Sequence, residues 1–356
     1  MSSKIGQYYY KYKNGAGGRV KITPGFDDFD KVLCKRGAFS EGGFAPPALL
    51  YDRVGDHYFV AKEELFQKEE DTFAVGHGFL FPAELFEKSA FGSKLYRFFD
   101  IDDFDCTEAG FDKEDVPSFV SQLHVAGDCC DFLRPEDIFR QCREHTRFIK
   151  LLFYGAVIAM TDDFSLVFSI PERRDVHYHQ QAVLFFRSLM AMIPWEWREF
   201  LSFHTCVDNP LAVGSFKLCA TPLPVEDLPK NNRTFYYDLK NFRVSPDLVI
   251  EQKTRGTVTG ELLNLIWSNQ DEKALSALFY IVHHNREILT PGTPRMVEMD
   301  ALSCFFLLTE VCEKYRFMLK DEISRFSKGT SREILLFLAG HLENREFLNL
   351  RRLLNI

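Results

Sequence analysis

The spacing of apolar residues changes part-way along the chain, and this change limits the fold more than any other feature. Up to about residue 240, short β-favouring runs are punctuated by Gly, Pro and Asn. From about Gly256 onward, apolar residues recur at helical spacing. A chain that carries both patterns in this order is expected to be α+β. It should have a mixed or antiparallel sheet region with packed helices, followed by an all-helical C-terminal subdomain. The expected division is 1–240 and 241–356, and 356 residues is a natural length for two domains.

In the first region, Gln7 to Tyr12 is aromatic and β-favouring, Asn14-Gly15 and Gly17-Gly18 are turn signals, and Arg19 to Thr23 alternates. That pattern predicts a hairpin. Asp27 is placed to cap a short helix running through Cys34. Ala48 to Tyr51 and Tyr58 to Ala61 read as a strand pair around Gly55-Asp56, and Phe73 to Phe81 as a strand closed by Pro82. Pro135, followed by two acidic residues, suits the start of a helix that runs to Met160 with an interruption near Gly155. Ser165 to Ile170 is a strand ended by Pro171, and Tyr178 to Ile193 an amphipathic helix stopped before Pro194. Strands are expected at Leu201 to Cys206, Ser215 to Ala220 and Thr234 to Tyr237. Helices are expected at 261–267, 272–283, 297–317, 320–326, 331–341 and 346–353, with a break at Pro291 to Pro294.

Several function classes are disfavoured by composition. A net charge of −8 argues against a nucleic-acid binder, and the basic pairs Arg173-Arg174 and Arg351-Arg352 are too short to form a stripe. The longest apolar run, Phe148 to Met160, is shorter than a membrane span and has charged flanks, so it reads as a buried helix. The nine cysteines have no CxxC spacing, and Met1 to Tyr10 lacks the apolar core of a signal peptide. Reduced thiols and a cytoplasmic location are the expectation. With 36 Phe and 13 Tyr, bulky aromatic cores and interfaces should dominate the packing.

Four groups of residues invite a chemical reading, and each has a structural one beside it. Asp100, Asp102, Asp103 and Asp105 offer hard oxygen ligands for Mg²⁺ or Ca²⁺, yet the stretch lacks the turn glycine of a calcium loop. Interleaved Phe99, Ile101 and Phe104 suit an edge strand with its acids in water. His177 and His179, with His204 and Cys206, would make a zinc set if they converged. On a helix start, however, the first two splay apart as exposed first-turn residues. Cys206 with His204 has the composition of a nucleophilic dyad, whereas Cys129-Cys130 sits between Asp128 and Asp131, which would raise both thiol pKa values. His77 stands between Gly76 and Gly78, where another backbone or a ligand can approach closely; an imidazole satisfied by a backbone partner is the plainer account.

There is no phosphate-gripping Gly-rich loop, nucleophile elbow or HExxH helix. The residues therefore assign no catalytic, cofactor-binding or metal-ligating position. Three stretches, taken together, carry a likeness: Gln7-Tyr-Tyr-Tyr10 with Pro24-Gly25; Gly76-His-Gly-Phe-Leu-Phe-Pro82; and Ser169-Ile-Pro171, a helix, then Ile193-Pro-Trp-Glu-Trp-Arg198 and Leu201-Ser-Phe-His-Thr205. Over roughly residues 5 to 240 the chain resembles the N-terminal domain of the GTPase-associated proteins of bacterial conflict systems. There, Leu-Pro, Arg and Leu-Ser-Phe-Ser-Thr follow a helix in the same way. Here Ile193 stands where Leu is usual and His204 where Ser is common. The resemblance implies a non-catalytic adaptor or regulatory component encoded with a GTPase and an effector, and it brings no catalytic residues or cofactor. The alternative is a cryptic hydrolase or nuclease using Cys206 with His204 or the Asp100–Asp105 cluster.

Overall fold

The computed structural model describes residues 5–13, 16–23, 47–68, 71–84, 101, 103–106, 143–170, 176–192, 201–207, 216–275, 277, 278, 296–307, 313–326 and 332. The expected elements at 27–34, 331–341 (apart from Arg332) and 346–353 and the break at 291–294 lie outside these residues. The fold is α+β. By their contacts the residues divide into two units: Met1–Phe132, Ser165–Arg187 and Leu201–Arg243 form one, and Leu133–Phe164, Ser188–Phe200 and Val244–Ile356 the other. The later boundary therefore falls at 243/244, and the segment Leu133–Phe164 is grouped with the helical unit.

The N-terminal unit is built on a mixed sheet. Its strands are β1 (Gly6–Lys13), β2 (Ala16–Ile22), β3 (Ala48–Val54), β4 (His57–Lys68), β5 (Asp71–Pro82), β6 (Ser165–Ser169), β7 (Phe203–His204), β8 (Leu218–Thr221), β9 (Thr234–Asp238) and β10 (Arg243–Ser245). Their order across the sheet is β10-β9-β6-β8-β7-β3-β4-β5-β1-β2. From β2 to β7 every pairing is antiparallel, whereas β7, β8, β6 and β9 run parallel. The expected hairpin at the N-terminus forms, with its register shifted between Tyr9 and Tyr10. Of the expected strand at Leu201 to Cys206, only Phe203 and His204 pair as strand. Parallel strands need a crossover, and helix α2 (Val176–Met192) supplies the one between β6 and β7. Its Phe185 and Phe186 meet Phe168 of β6 edge-on, and Phe186 also meets Phe203 of β7.

Alternation along each strand sorts the side chains onto two faces. One face gathers Tyr8, Tyr10, Leu50, Val54, Phe59, Ala61, Leu80, Val167, Cys219 and Tyr236 into a core cluster. On this face Tyr10, Gly76 and Glu63 lie directly across from one another on β1, β5 and β4. A Cβ at Gly76 would overlap the Tyr10 ring, and one at Gly78 would overlap the Phe59 ring. The two glycines are thus saddles over which aromatic rings cross β5. His77, between them, points to the other face.

The helical unit contains α1 (Thr146–Thr161), α3 (Asp247–Thr254), α4 (Val258–Ser268), α5 (Met296–Leu307), α6 (Glu313–Met318) and α7 (Lys320–Phe326). Among the described residues, no helix is long and apolar enough to cross a membrane. Helix α1 is apolar nearly all round and is buried from Phe148 to Met160, apart from Lys150 and with Gly155 continuing the helix unbroken. A helix of that composition must be enclosed, and α3, α4 and α5 pack against it. A 3-10 turn at Arg143–His145 precedes it, and the expected start at Pro135 lies outside the described residues. Tyr154 on α1 donates to the Gly260 carbonyl of α4. Thr257 caps α4, its hydroxyl accepting from Gly260 N at 3.0 Å. A Cβ at Gly260 would strike the Thr254 carbonyl and the Thr257 hydroxyl, so the tight α3–α4 junction demands glycine.

Gly76→Ala is expected to destabilise the chain by about 1–3 kcal/mol through overpacking. Tyr10→Ala in the same chain should relieve much of that cost. Urea unfolding of the two single variants and the double variant checks this; costs that simply add would show that the ring does not lie over Gly76.

Candidate functional site

Among the described residues of the N-terminal unit, a dense polar constellation centres on Glu63, which points inward with Phe59 and Ala61 on β4. Tyr10 reaches it over the Gly76 saddle and donates its hydroxyl to Oε1 at 2.7 Å. His204 approaches from β7 on the other side, its Nε2 lying 3.3 Å from Oε2. Ala48, opposite Glu63 on the intervening strand β3, is small. His204 is fully buried and the Glu63 side chain is 9% exposed. The second ring nitrogen of His204, Nδ1, accepts the backbone N–H of Cys206 at 3.2 Å. An amide N–H only donates, so Nδ1 carries no proton and Nε2–H faces the carboxylate. The approach of that N–H is too oblique for a well-formed hydrogen bond, so the interaction is mainly electrostatic.

Cys206 and His204 are therefore neighbours, but through the backbone. Both imidazole nitrogens are engaged, one by the Cys206 amide and the other by Glu63, and neither is directed to a thiol as base. Cys106, Cys206, Cys219 and Cys304 are buried and form no disulfide. Burial pushes the thiols of Cys106 and Cys219 up to about 12, with Glu64 adding to the effect at Cys106. Such thiols are poor nucleophiles. Cys129 and Cys130 lie outside the described residues.

His77 is satisfied on the opposite face. Its Nδ1 accepts the backbone N–H of Asp105 at 2.9 Å, and Nε2 lies 3.2 Å from Gln7 Oε1. Tyr9 stacks on the ring, with centroids 4.0 Å apart. Burial, reinforced by Asp105, pushes the Tyr9 phenol up to about 12. The aspartate stretch is thus used partly as backbone: the Asp105 amide fastens it to β5. Asp103 and Asp105 are half-buried, while Asp100 and Asp102 lie outside the described residues. Among the described residues no group of three His, Cys, Asp or Glu side chains is placed to hold a metal ion.

The first-turn histidine His179 is not exposed as its position suggests. It is half-buried at the start of α2, where burial and the nearby Lys62 lower its pKa to about 4 against a hydrogen bond to the Pro47 carbonyl. That ring is neutral at physiological pH. No side chain of His177 is described, and His179 does not join His204 in a metal set.

In the helical unit, a pocket of about 180 Å³ is lined by Lys150, Tyr154, Glu251, Thr254, Arg255, Glu261 and Asn264. Its polar groups largely satisfy one another. Lys150 donates to Asn264 at 2.7 Å, Glu261 accepts the Gly256 amide at 3.2 Å, and Glu251 pairs with Arg147 at 3.0 Å. Deeper in the same unit, Asp300 of α5 accepts the backbone N–H and the hydroxyl of Thr259, each at 2.8 Å, at the start of α4. Burial nonetheless raises its pKa to about 6, outweighing hydrogen bonds from Thr259 and Val258.

No protein-family model matches the chain, and no curated protein matches it. Glu63 is not among the candidate residues read from the sequence, and Tyr10 is there only as part of an aromatic strand. The available signal was a charged residue at an inward position of the alternating run Phe59-Val-Ala-Lys-Glu63, visible only if the strand is extended beyond Ala61.

Because the carboxyl of Asp300 binds its proton more tightly when folded, its contribution to stability is fully present below pH 3.8 and is lost as pH rises towards about 6. Relative to Asp300→Asn, the wild-type chain should lose about 2–3 kcal/mol across that window. Urea titrations at stepped pH measure the difference, and a flat difference would contradict the assignment.

Proposed function

We propose that this chain is a non-catalytic interaction module, an adaptor or regulator whose protein partner is a GTPase of a bacterial defence or signalling system. One observation supports the non-catalytic half most strongly. The imidazole with the best credentials for catalysis, His204, is fully buried, with Nδ1 held by the Cys206 amide and Nε2 turned to Glu63. A general base needs a free nitrogen within reach of the proton it removes. The hydrolase reading lacks that arrangement at Cys206.

The GTPase half rests on the three resembling stretches. In this fold they correspond to β1, β5 and the β6–α2–β7 crossover, the segments that carry Tyr10, the Gly76 saddle and His204. These residues join strand to strand within the one sheet. A scaffold built in this way leaves recognition to its outer surfaces.

Tagged chain purified from its native host, with a non-hydrolysable GTP analogue or with GDP, provides the test. The expected result is stoichiometric recovery of a GTPase, with a yield that depends on the nucleotide. Recovery of the chain alone with either nucleotide would overturn the reading.

A further inference from the structure

In the helical unit, the cavity where α1, α3 and α4 meet is lined by opposite charges that do not pair with one another. Lys150 of α1 and Arg255, at the end of α3, share its wall with Glu251 of α3 and Glu261 of α4. Among the described residues, neither carboxylate forms an ion pair with either cation. Each is held by something else. Lys150 donates to the Asn264 side chain at 2.7 Å, and Arg147, which does not line the cavity, donates to Glu251 Oε1 at 3.0 Å. Glu261 accepts the Gly256 backbone N–H at 3.2 Å on Oε1 and the Asn264 side-chain amide at 3.4 Å on Oε2. Asn264 thus bridges Lys150 and Glu261 in place of a direct contact.

This leaves bonding capacity unused. An ammonium has three N–H donors, and Lys150 uses one of them among the described residues. The Arg255 guanidinium is exposed and makes no hydrogen bond or ion pair among the described residues. Glu251 Oε2 has no hydrogen-bond partner among them either. Burial lowers the pKa of Lys150 although Glu251 and Glu261 lie nearby and oppose the shift, so this half-buried ammonium is short of a direct countercharge. We propose that the cavity binds a small free α-amino acid, with its carboxylate on Lys150 and Arg255 and its ammonium on Glu251 and Glu261. This inference does not rest on the GTPase reading.

The charge pattern selects the class of ligand. A dianion such as phosphate would be drawn to the two cations and repelled by the two carboxylates, and a simple cation would meet the reverse. A zwitterion satisfies both pairs at once, through charge-assisted hydrogen bonds, which are the strong ones. Size and lining agree. At about 180 Å³ the cavity is smaller than the pockets of drug-sized ligands, and it has room for a ligand on the order of ten non-hydrogen atoms. Of the lining residues only Tyr154 brings an aromatic ring, so the side chain of the amino acid should be short or polar.

Ligand-observed NMR titration of the full chain tests the proposal, with glycine, L-alanine, L-serine, L-asparagine and L-aspartate as probes, each taken to about 10 mM. At least one should saturate with a Kd of about 1 mM or tighter. Propionate and ethylamine, which are alanine without its ammonium and without its carboxylate, should bind about tenfold more weakly than the amino acids that bind. Lys150→Met should weaken the best probe about tenfold, and Arg255→Gln, at the exposed end of the cavity, about threefold. Arg255→Gln should leave the urea unfolding curve in place, because the guanidinium holds no other described group. Three results would overturn the proposal: no saturation by any of the five amino acids; inorganic phosphate, propionate or ethylamine binding as tightly as they do; or an amino-acid affinity unchanged in both variants.

Discussion

A carboxylate buried in a β-sheet must find partners, because an uncompensated buried charge costs several kcal/mol. Glu63 finds them on both sides. Tyr10 reaches it from β1 across β5, and His204 comes from β7 across β3, so one side chain links five adjacent strands. This geometry has consequences along the chain. It requires glycine at 76, where the phenol ring crosses. It also fixes the tautomer of His204, which in turn holds the Cys206 amide and the turn that leads towards β8. A one-residue slip of β4 would turn Glu63 to the opposite face and Lys62 into this one. The polar contact therefore helps to specify register at the centre of an otherwise aromatic sheet.

The helical unit solves a comparable problem by different means. Helix α1 offers almost no polar face, so α3, α4 and α5 enclose it, and α4 answers two of its polar side chains: Tyr154 through the Gly260 carbonyl and Lys150 through Asn264. The start of α4 receives both a local cap from Thr257 and a distant one from Asp300. A buried carboxylate at a helix N-terminus is favoured by the dipole and opposed by desolvation. At Asp300 burial prevails, which makes this joint pH-dependent.

Much of the architecture was legible in the residues. Alternation and turn signals placed the first hairpin, β3 to β6 and β9, and the spacing at Ala182, Phe185, Phe186, Leu189 and Met190 placed α2. What escaped notice had weak local signals. Helix α3 buries only Ile250 and Thr254 and has almost no apolar stripe, so nothing in its period announced it. His179 looked exposed because its position in the first turn says nothing of Pro47, which lies far away in sequence. His77 was read as an imidazole with a backbone partner, and Asp105 is that partner. The Glu63 hub could not be read from any one segment, since its members come from residues 10, 63 and 204 and meet only through strand order. Cys206 and His204 were adjacent in the sequence and are adjacent in the fold, but the atoms that meet are not those a nucleophile would use.

Glu63 acts as the structural acceptor at the centre of the sheet. The most direct measurement is a double-mutant cycle in urea unfolding with Tyr10→Phe and Glu63→Met, alone and combined. A hydrogen bond to a buried carboxylate predicts a coupling of about 1.5–3 kcal/mol, with the double variant losing far less than the sum of the singles. Additivity within about 0.5 kcal/mol would mean that the two residues do not depend on each other, and would remove the interaction on which the sheet is argued to rest.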